Sequence, residues 1–351
     1  MPVESTCSSV QTFRQLANRF PMMVDRKSMM ASRGYAAAVA LVGLIWASYM
    51  TWAQSWALFA DYWPMSITML FGSFVAGATP QGGAAVAFPV FTKVFDMPAS
   101  DARTVGLMFQ SVGMTMAAFT IWLRGIKILP RVLIYSCCGG LIGMTLGTFV
   151  LIAPNPYPKV LFTLMLAVFG VAMIVSRWGV RWQPVSQITH WNGRRRGLLV
   201  LVGVIGGLFT AYTGAGADAI TFIVLTLYFG LDEKISTPTT IIIMAVNSVL
   251  GFFFHGVVLQ DIGNATNYWL VCIPIIIIGA PLGSWVLFKI NRDTLIVAIL
   301  CLILAEVTST LVLVPFTSEM ITVVTVAVVV TTLCFWAMLH CRQTRTDLAA
   351  K

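Results

Sequence analysis

Ten apolar stretches follow one another between residues 34 and 339, and two of them are both too long for a single membrane helix and broken by glycine. Eight read as ordinary spans: 34–53, 102–123, 129–152, 159–176, 237–256, 267–288, 294–314 and 320–339. Each is near the ~20 residues that cross a bilayer. The other two, 65–95 and 197–229, would measure about 45 to 50 Å as unbroken helices, against a hydrocarbon core of about 30 Å. The first contains "GATPQGGAAVAFPVF" (77–91), with Pro80, Gly82 and Gly83 at its middle; the second contains "GGLFTAYTGAGADAITFIVL" (206–225), with Gly214 and Gly216 there. Two half-helices of about a dozen residues, turning back at the break, fit each length. Both ends of each run then lie on one side of the membrane.

Composition agrees with an all-α polytopic membrane protein: 58% of residues are hydrophobic and 10% charged, and the polar turns leave no room for a soluble domain. The expected layout is a cytosolic arm over 1–33, a single transmembrane domain over 34–340 and a cytosolic tail over 341–351. The arm lacks a small-residue cleavage site after an early apolar stretch, so it does not read as a signal peptide. The net charge of +9 sits in loops beside spans, where it reads as a topology signal, and no nucleic-acid partner follows from it. With both interrupted runs as hairpins and the N-terminus cytosolic, only Lys93, Arg103 and Lys159 of the 22 basic residues fall outside. If both runs crossed fully, eight would. The positive-inside rule prefers hairpins, with both termini cytosolic in a plasma or inner cell membrane. Cys7, Cys137, Cys138, Cys272, Cys301, Cys334 and Cys341 show no zinc or redox spacing. Neither a metal nor a cofactor is expected.

An offset of 134 residues aligns the two breaks without a gap: Gly72 with Gly206, Thr79 with Thr213, Ala85 with Ala219, Phe88 with Phe222, Val90 with Val224 and Phe95 with Phe229. Later in each half, "GGLIG" (139–143) and "GAPLG" (279–283) recur, and their glycines have the small-xxx-small spacing that lets helices approach closely. The chain therefore reads as a duplication, repeat one over about 65–176 and repeat two over about 197–314. Each unit is one re-entrant hairpin plus three spans. Three is odd, so the second copy enters from the opposite side, giving inverted repeats with an extra flanking helix at each end, as in secondary transporters.

The glycine-interrupted segments, the polar turn and helix that follow each ("MPASDART", "LDEKISTPTT") and the "GAPLG"-type helix resemble the sulfite exporter TauE/SafE family of anion permeases. The resemblance covers roughly 65–315, with 34–53 and 320–339 flanking it. Family breaks are usually richer in glycine, and Asp218 departs from the pattern. The resemblance implies transport of small sulfur-containing anions such as sulfite or organosulfonates.

At each break the second half-helix begins with N–H groups that lack intrahelical partners, and its dipole adds positive charge, a setting suited to an oxyanion. Gly82, Gly83, Gly214 and Gly216 let the backbone approach a ligand, while Thr79, Gln81 and Thr213 offer side-chain hydrogen bonds. The plainer reading is that these glycines only permit turns and tight packing. Asp218, where repeat one has Ala84, reads either as an N-cap or as a coupling residue for a proton or cation. Its carboxylate would repel an anion, which places substrate nearer the first break. Gln110, Ser111, Asn247 and Ser248 fall mid-helix and either line the cavity or bridge helices. Glu306 is a second coupling candidate; His255 reads as an interface residue, and Trp63, Tyr157 and Trp178 as interfacial anchors.

Intramembrane catalysis needs a convergent constellation, and His190, His255 and His340 all lie at or beyond span ends. An enzyme is therefore not expected. The reading is a secondary transporter of small anions in contact with the lipid bilayer, coupled in one version to protons; an anion channel using the same half-helix dipoles is the alternative. A homodimer is one assembly left open.

Overall fold

The computed structural model describes residues 26–79, 81–151, 154, 156–179, 184–188, 191–287, 292–314 and 317–349. Residues 1–25 of the expected arm, Pro80 at the first break and His190 lie outside them. In chain order the α-helices are α1 (Arg26–Trp52), α2 (Leu58–Ala78), α3 (Ala84–Lys93), α4 (Ala99–Leu123), α5 (Pro130–Phe149) and α6 (Tyr157–Ile174). They continue with α7 (Gly193–Thr213), α8 (Ala217–Ile223), α9 (Glu233–Phe253), α10 (Ala265–Leu287), α11 (Arg292–Leu313) and α12 (Ser318–Ala349). Single π-helical turns, Val224–Tyr228 and Phe254–Val258, extend α8 and α9.

Nine helices among the described residues are long and apolar enough to cross a membrane, so this is a multi-pass membrane protein. Eight of the nine fall on the eight expected spans; the ninth is α7, the first limb of the second interrupted run. Here the sequence expectation of limbs of about a dozen residues needs correcting. The limbs before the breaks, α2 and α7, have 21 residues each, while those after them, α3 with 10 residues and α8 with its π turn (Ala217–Tyr228), stay near the expected length. The physical reason is local. The Asn192 side chain accepts from the Arg195 backbone N–H at 3.0 Å and starts α7 ahead of its apolar part. Helix α2 gains an extra N-terminal turn across a bend at Tyr62 (φ −117°, ψ 17°), just before Pro64.

At both breaks the chain folds back on itself in the same way. A Cβ on Gly83 would meet the Gly72 carbonyl oxygen at 3.0 Å, and a Cβ on Gly206 would meet the Ala217 Cα at 2.8 Å. Those two pairs are related by the 134-residue offset. The halves are also interleaved: α2 packs along α10, and α7 along α5. Backbones touch at these seams because the facing residues are glycine. Gly77 lies on the Ala280 carbonyl, Gly279 on Ser73 and Gly283 on the Phe74 carbonyl. On the other side Gly139 lies on the Val200 carbonyl, Gly143 on Val204 and Gly203 on Ser136. The small-xxx-small spacing thus marks two real helix seams.

Helices α4 and α9 pack against each other at the centre, and α6 against α11. Phe88 of α3 and Phe222 of α8, partners under the offset, both pack on α6, with ring centroids 4.6 Å from Phe162 and 5.5 Å from Phe169. Outer helices α1 and α12 expose Leu41, Leu44, Val328 and Leu333, the apolar surface that lipid covers.

Candidate functional site

Every described residue singled out at the two breaks is buried. Thr79 leaves the helix in an extended conformation (φ −135°, ψ 153°), and Gly82 and Gly214 take φ of 66° and 77°, left-handed values that a side chain disfavours. The two threonines do the same local job. Thr79 Oγ1 donates to the Val75 carbonyl at 3.0 Å and accepts from the Gln81 N–H at 3.4 Å. Thr213 Oγ1 lies 2.9 and 2.7 Å from the Phe209 and Ala215 carbonyls, which share its one proton, and accepts from the Ala215 N–H at 3.4 Å. These hydroxyls are engaged in shaping the turns.

The breaks differ in what they leave unsatisfied. Around the second, the Ala217 N–H donates to Thr210 Oγ1 at 3.0 Å and the Ala219 N–H to Asp218 Oδ1 at 2.9 Å. Repeat one has Ala76 and Ala84 at the positions equivalent to Thr210 and Asp218, so it has neither acceptor, and no side chain caps α3. Beside that uncapped helix start, both amide atoms of Gln81 are buried without a hydrogen bond, as are Gln110 Oε1 and Ser73 Oγ. Such groups are costly to leave unmade, and they mark a place where a ligand or water belongs. Ser73, Gly83, Ala84, Phe109 and Gln110 line a small pocket there.

Gln110 joins the two breaks. Its Nε2 donates to the Gly214 carbonyl at 2.7 Å, while its Oε1 lies against Gly82, where a Cβ would collide with it. The other mid-helix polar residues sit elsewhere. Ser111 and Ser248 donate to carbonyls of their own helices, Met108 and Met244, both at 2.8 Å. Asn247 donates to Ile243 at 2.9 Å and packs against Gly140 of α5, with its Oδ1 unpaired. Gly216 (φ 140°) is the N-cap of α8, and Asp218 lies inside the first turn. The N-cap reading of Asp218 is therefore corrected: its Oδ1 bonds the next residue's N–H, and its Oδ2 has no hydrogen bond.

Three further arrangements were not readable in the chain. Arg103, at the start of α4, donates from Nη1 to the Ala211 carbonyl at 3.1 Å, and its own carbonyl oxygen faces Gly214, bringing a cation to the second break. His255 is buried in the protein, with Nδ1 2.8 Å from Asp261 Oδ1. Glu306 is paired: Lys93 Nζ lies 2.6 Å from its Oε2 and also reaches Ser309 and Thr310, while Thr163 donates to Oε1 at 2.9 Å. Trp63 and Trp178 are exposed. No group of three or more His, Cys, Asp or Glu able to hold a metal occurs among the described residues.

Comparison with curated proteins finds no match, and neither does comparison with solved structures. The sequence does match the family described as "Sulfite exporter TauE/SafE" over residues 65–310, a range that holds both breaks, both glycine seams and all ten helices from α2 to α11 in whole or part. That range is more than half of the chain, and the chain belongs to this family of membrane transporters.

Proposed function

We propose that this TauE/SafE family member is a secondary transporter of small anions, sulfite or an organosulfonate, built as two inverted repeats whose breaks are re-entrant and meet near the midplane. Reciprocal packing supports the architecture. Each half lays its first limb on the glycine helix of the other, α2 on α10 and α7 on α5, while α4 meets α9 and α6 meets α11. A two-fold relation between oppositely inserted copies produces that pattern.

The observation that carries the anion site is the inequality of the breaks. The start of α3 keeps its N–H end uncapped beside the unpaired Gln81 amide and the Ser73 hydroxyl, whereas the start of α8 is closed by Thr210 and Asp218. A desolvated oxyanion gains most at the first, where donors and the helix dipole converge without a competing carboxylate. Asp218 is then the coupling residue. Alternating access is the rocking of one repeat against the other along the two glycine seams.

The test is flux of radiolabelled sulfite, sulfate, taurine and acetate into proteoliposomes holding the purified protein, with and without an ion gradient. Gradient-driven, saturable uptake of a sulfur anion that Gln81→Ala lowers at least tenfold supports the reading. Rapid uptake of all four, indifferent to the gradient, identifies a channel instead.

A further inference from the structure

The pocket at the first break is lined in part by Ala84, Ala87, Gly113 and Ile276. The 134-residue offset carries the first three to Asp218, Thr221 and Asn247; the 140-residue offset that aligns Gly279 with Gly139 carries Ile276 to Ser136. These four apolar lining positions at the first break thus have polar counterparts around the second. Each counterpart is buried, at most 1% exposed, and each has an oxygen without a hydrogen bond: Asp218 Oδ2, Thr221 Oγ1, Asn247 Oδ1 and Ser136 Oγ.

Contacts around the second break bring the supporting elements together. Asn247 lies against Gly140, one helical turn from Ser136 on the same face of α5. Gly203 of α7 rests on the Ser136 carbonyl, Gly207 on that of Gly140, and Gly206 meets Ala217 at the start of α8. Asp218 and Thr221 are three residues apart on α8 and so share a face. The other hydroxyls at equivalent positions are already engaged, Thr210 with Gly206, Thr240 with Thr237 and Ser248 with Met244.

We infer that Asp218, Thr221, Asn247 and Ser136 form a binding site for a desolvated alkali cation at the second break, the counterpart of the anion site at the first. This deepens the transporter reading and rests on its two-repeat architecture. A proton would answer the carboxylate alone and leave three buried oxygens unmatched. A cation answers all four, since carboxylate, amide carbonyl and hydroxyl oxygens all coordinate through lone pairs. One carboxylate among neutral oxygens suits a single positive charge; calcium takes six to eight oxygens, usually with several carboxylates. Sodium, a hard alkali cation that takes oxygen donors of these kinds, is the probe for the site.

The experiment is equilibrium binding of radioactive sodium to the full chain in detergent, with no anion present, in choline buffer. Saturable binding displaced by unlabelled sodium is expected, weakened at least tenfold in Asp218→Asn and in Thr221→Val but retained in Thr221→Ser. The threonine pair differs by one hydroxyl and protects the test against a misfolded variant; size-exclusion profiles verify the fold. Absence of saturable binding overturns the site, as does binding unchanged in both Asp218→Asn and Thr221→Val. Sulfite flux driven by a proton gradient, with no sodium binding, sinks this site and leaves the transporter standing. Sodium binding with no flux of any anion does the reverse.

Discussion

Gln110 donates from Nε2 to the Gly214 carbonyl at 2.7 Å, across 104 residues of chain, and holds its Oε1 against Gly82. One side chain therefore spans both breaks. Any change in the distance between them must remake or lose this bond.

Gln110→Ala removes the tie and leaves the Gly214 carbonyl buried without it, a loss of about 1 to 3 kcal/mol. The expected outcome is a lower melting temperature in detergent together with at least a tenfold fall in anion flux. Flux unchanged in a destabilised protein would show that Gln110 only braces the fold.

Substitution at the seams separates packing from the site. Gly143→Ala places a methyl group on the Val204 carbonyl, and Gly283→Ala one on that of Phe74, whereas a Cβ at Gly106 meets nothing within 4 Å. Overpacking costs typically about 1 to 3 kcal/mol. Gly143→Ala and Gly283→Ala are expected to lower the thermal midpoint measured by fluorescence-detected chromatography, with Gly106→Ala close to wild type.

The eight uninterrupted spans, both breaks and the glycine seams were legible because each is local or periodic. Twenty apolar residues, an interrupted run and a GxxxG spacing are properties of one segment. Gln110 was legible only as a polar residue at mid-helix, because its partners lie on segments far away in sequence. Asp218 was visible as an ionisable group at depth, but Thr210, which closes the same helix start, looks like any helical threonine. The Lys93–Glu306 pair was harder still: Lys93 read as a topology charge on the outer side and Glu306 as a second coupling candidate, 213 residues apart.

That pair makes a third prediction. Both side chains are almost wholly buried, 6% and 2% exposed, so Lys93→Met leaves Glu306 as an uncompensated buried charge. Breaking one partner of such a pair costs about 3 to 5 kcal/mol. The double variant Lys93→Met with Glu306→Met should recover much of the loss in yield and melting temperature; a double variant as unstable as the single one would contradict the pairing.

Topology gives the fourth. With re-entrant breaks and the proposed cytosolic N-terminus, Asp96 and Gly125 face opposite sides, and Gly125 and Gly193 share the cytosolic one. Single cysteines at these three positions, in a chain otherwise cleared of its seven, should react with an impermeant maleimide in whole cells only at position 96. Labelling of 125 from outside would show that the first interrupted run crosses completely.

The interleaved packing of the halves has a consequence for biosynthesis. Helix α7 emerges from the ribosome after α5 and can dock at once on a finished glycine surface. Helix α2 meets its own partner only when α10 arrives, 205 residues separating Ser66 from the Val271 carbonyl it bonds. Until then Ser73, Gly77 and the first break have no seam to close them, and α2 must wait in the lipid or in the insertion machinery. The nascent chain is most exposed to quality control in that interval, so destabilising changes along α2 should cost more in yield than their counterparts along α7.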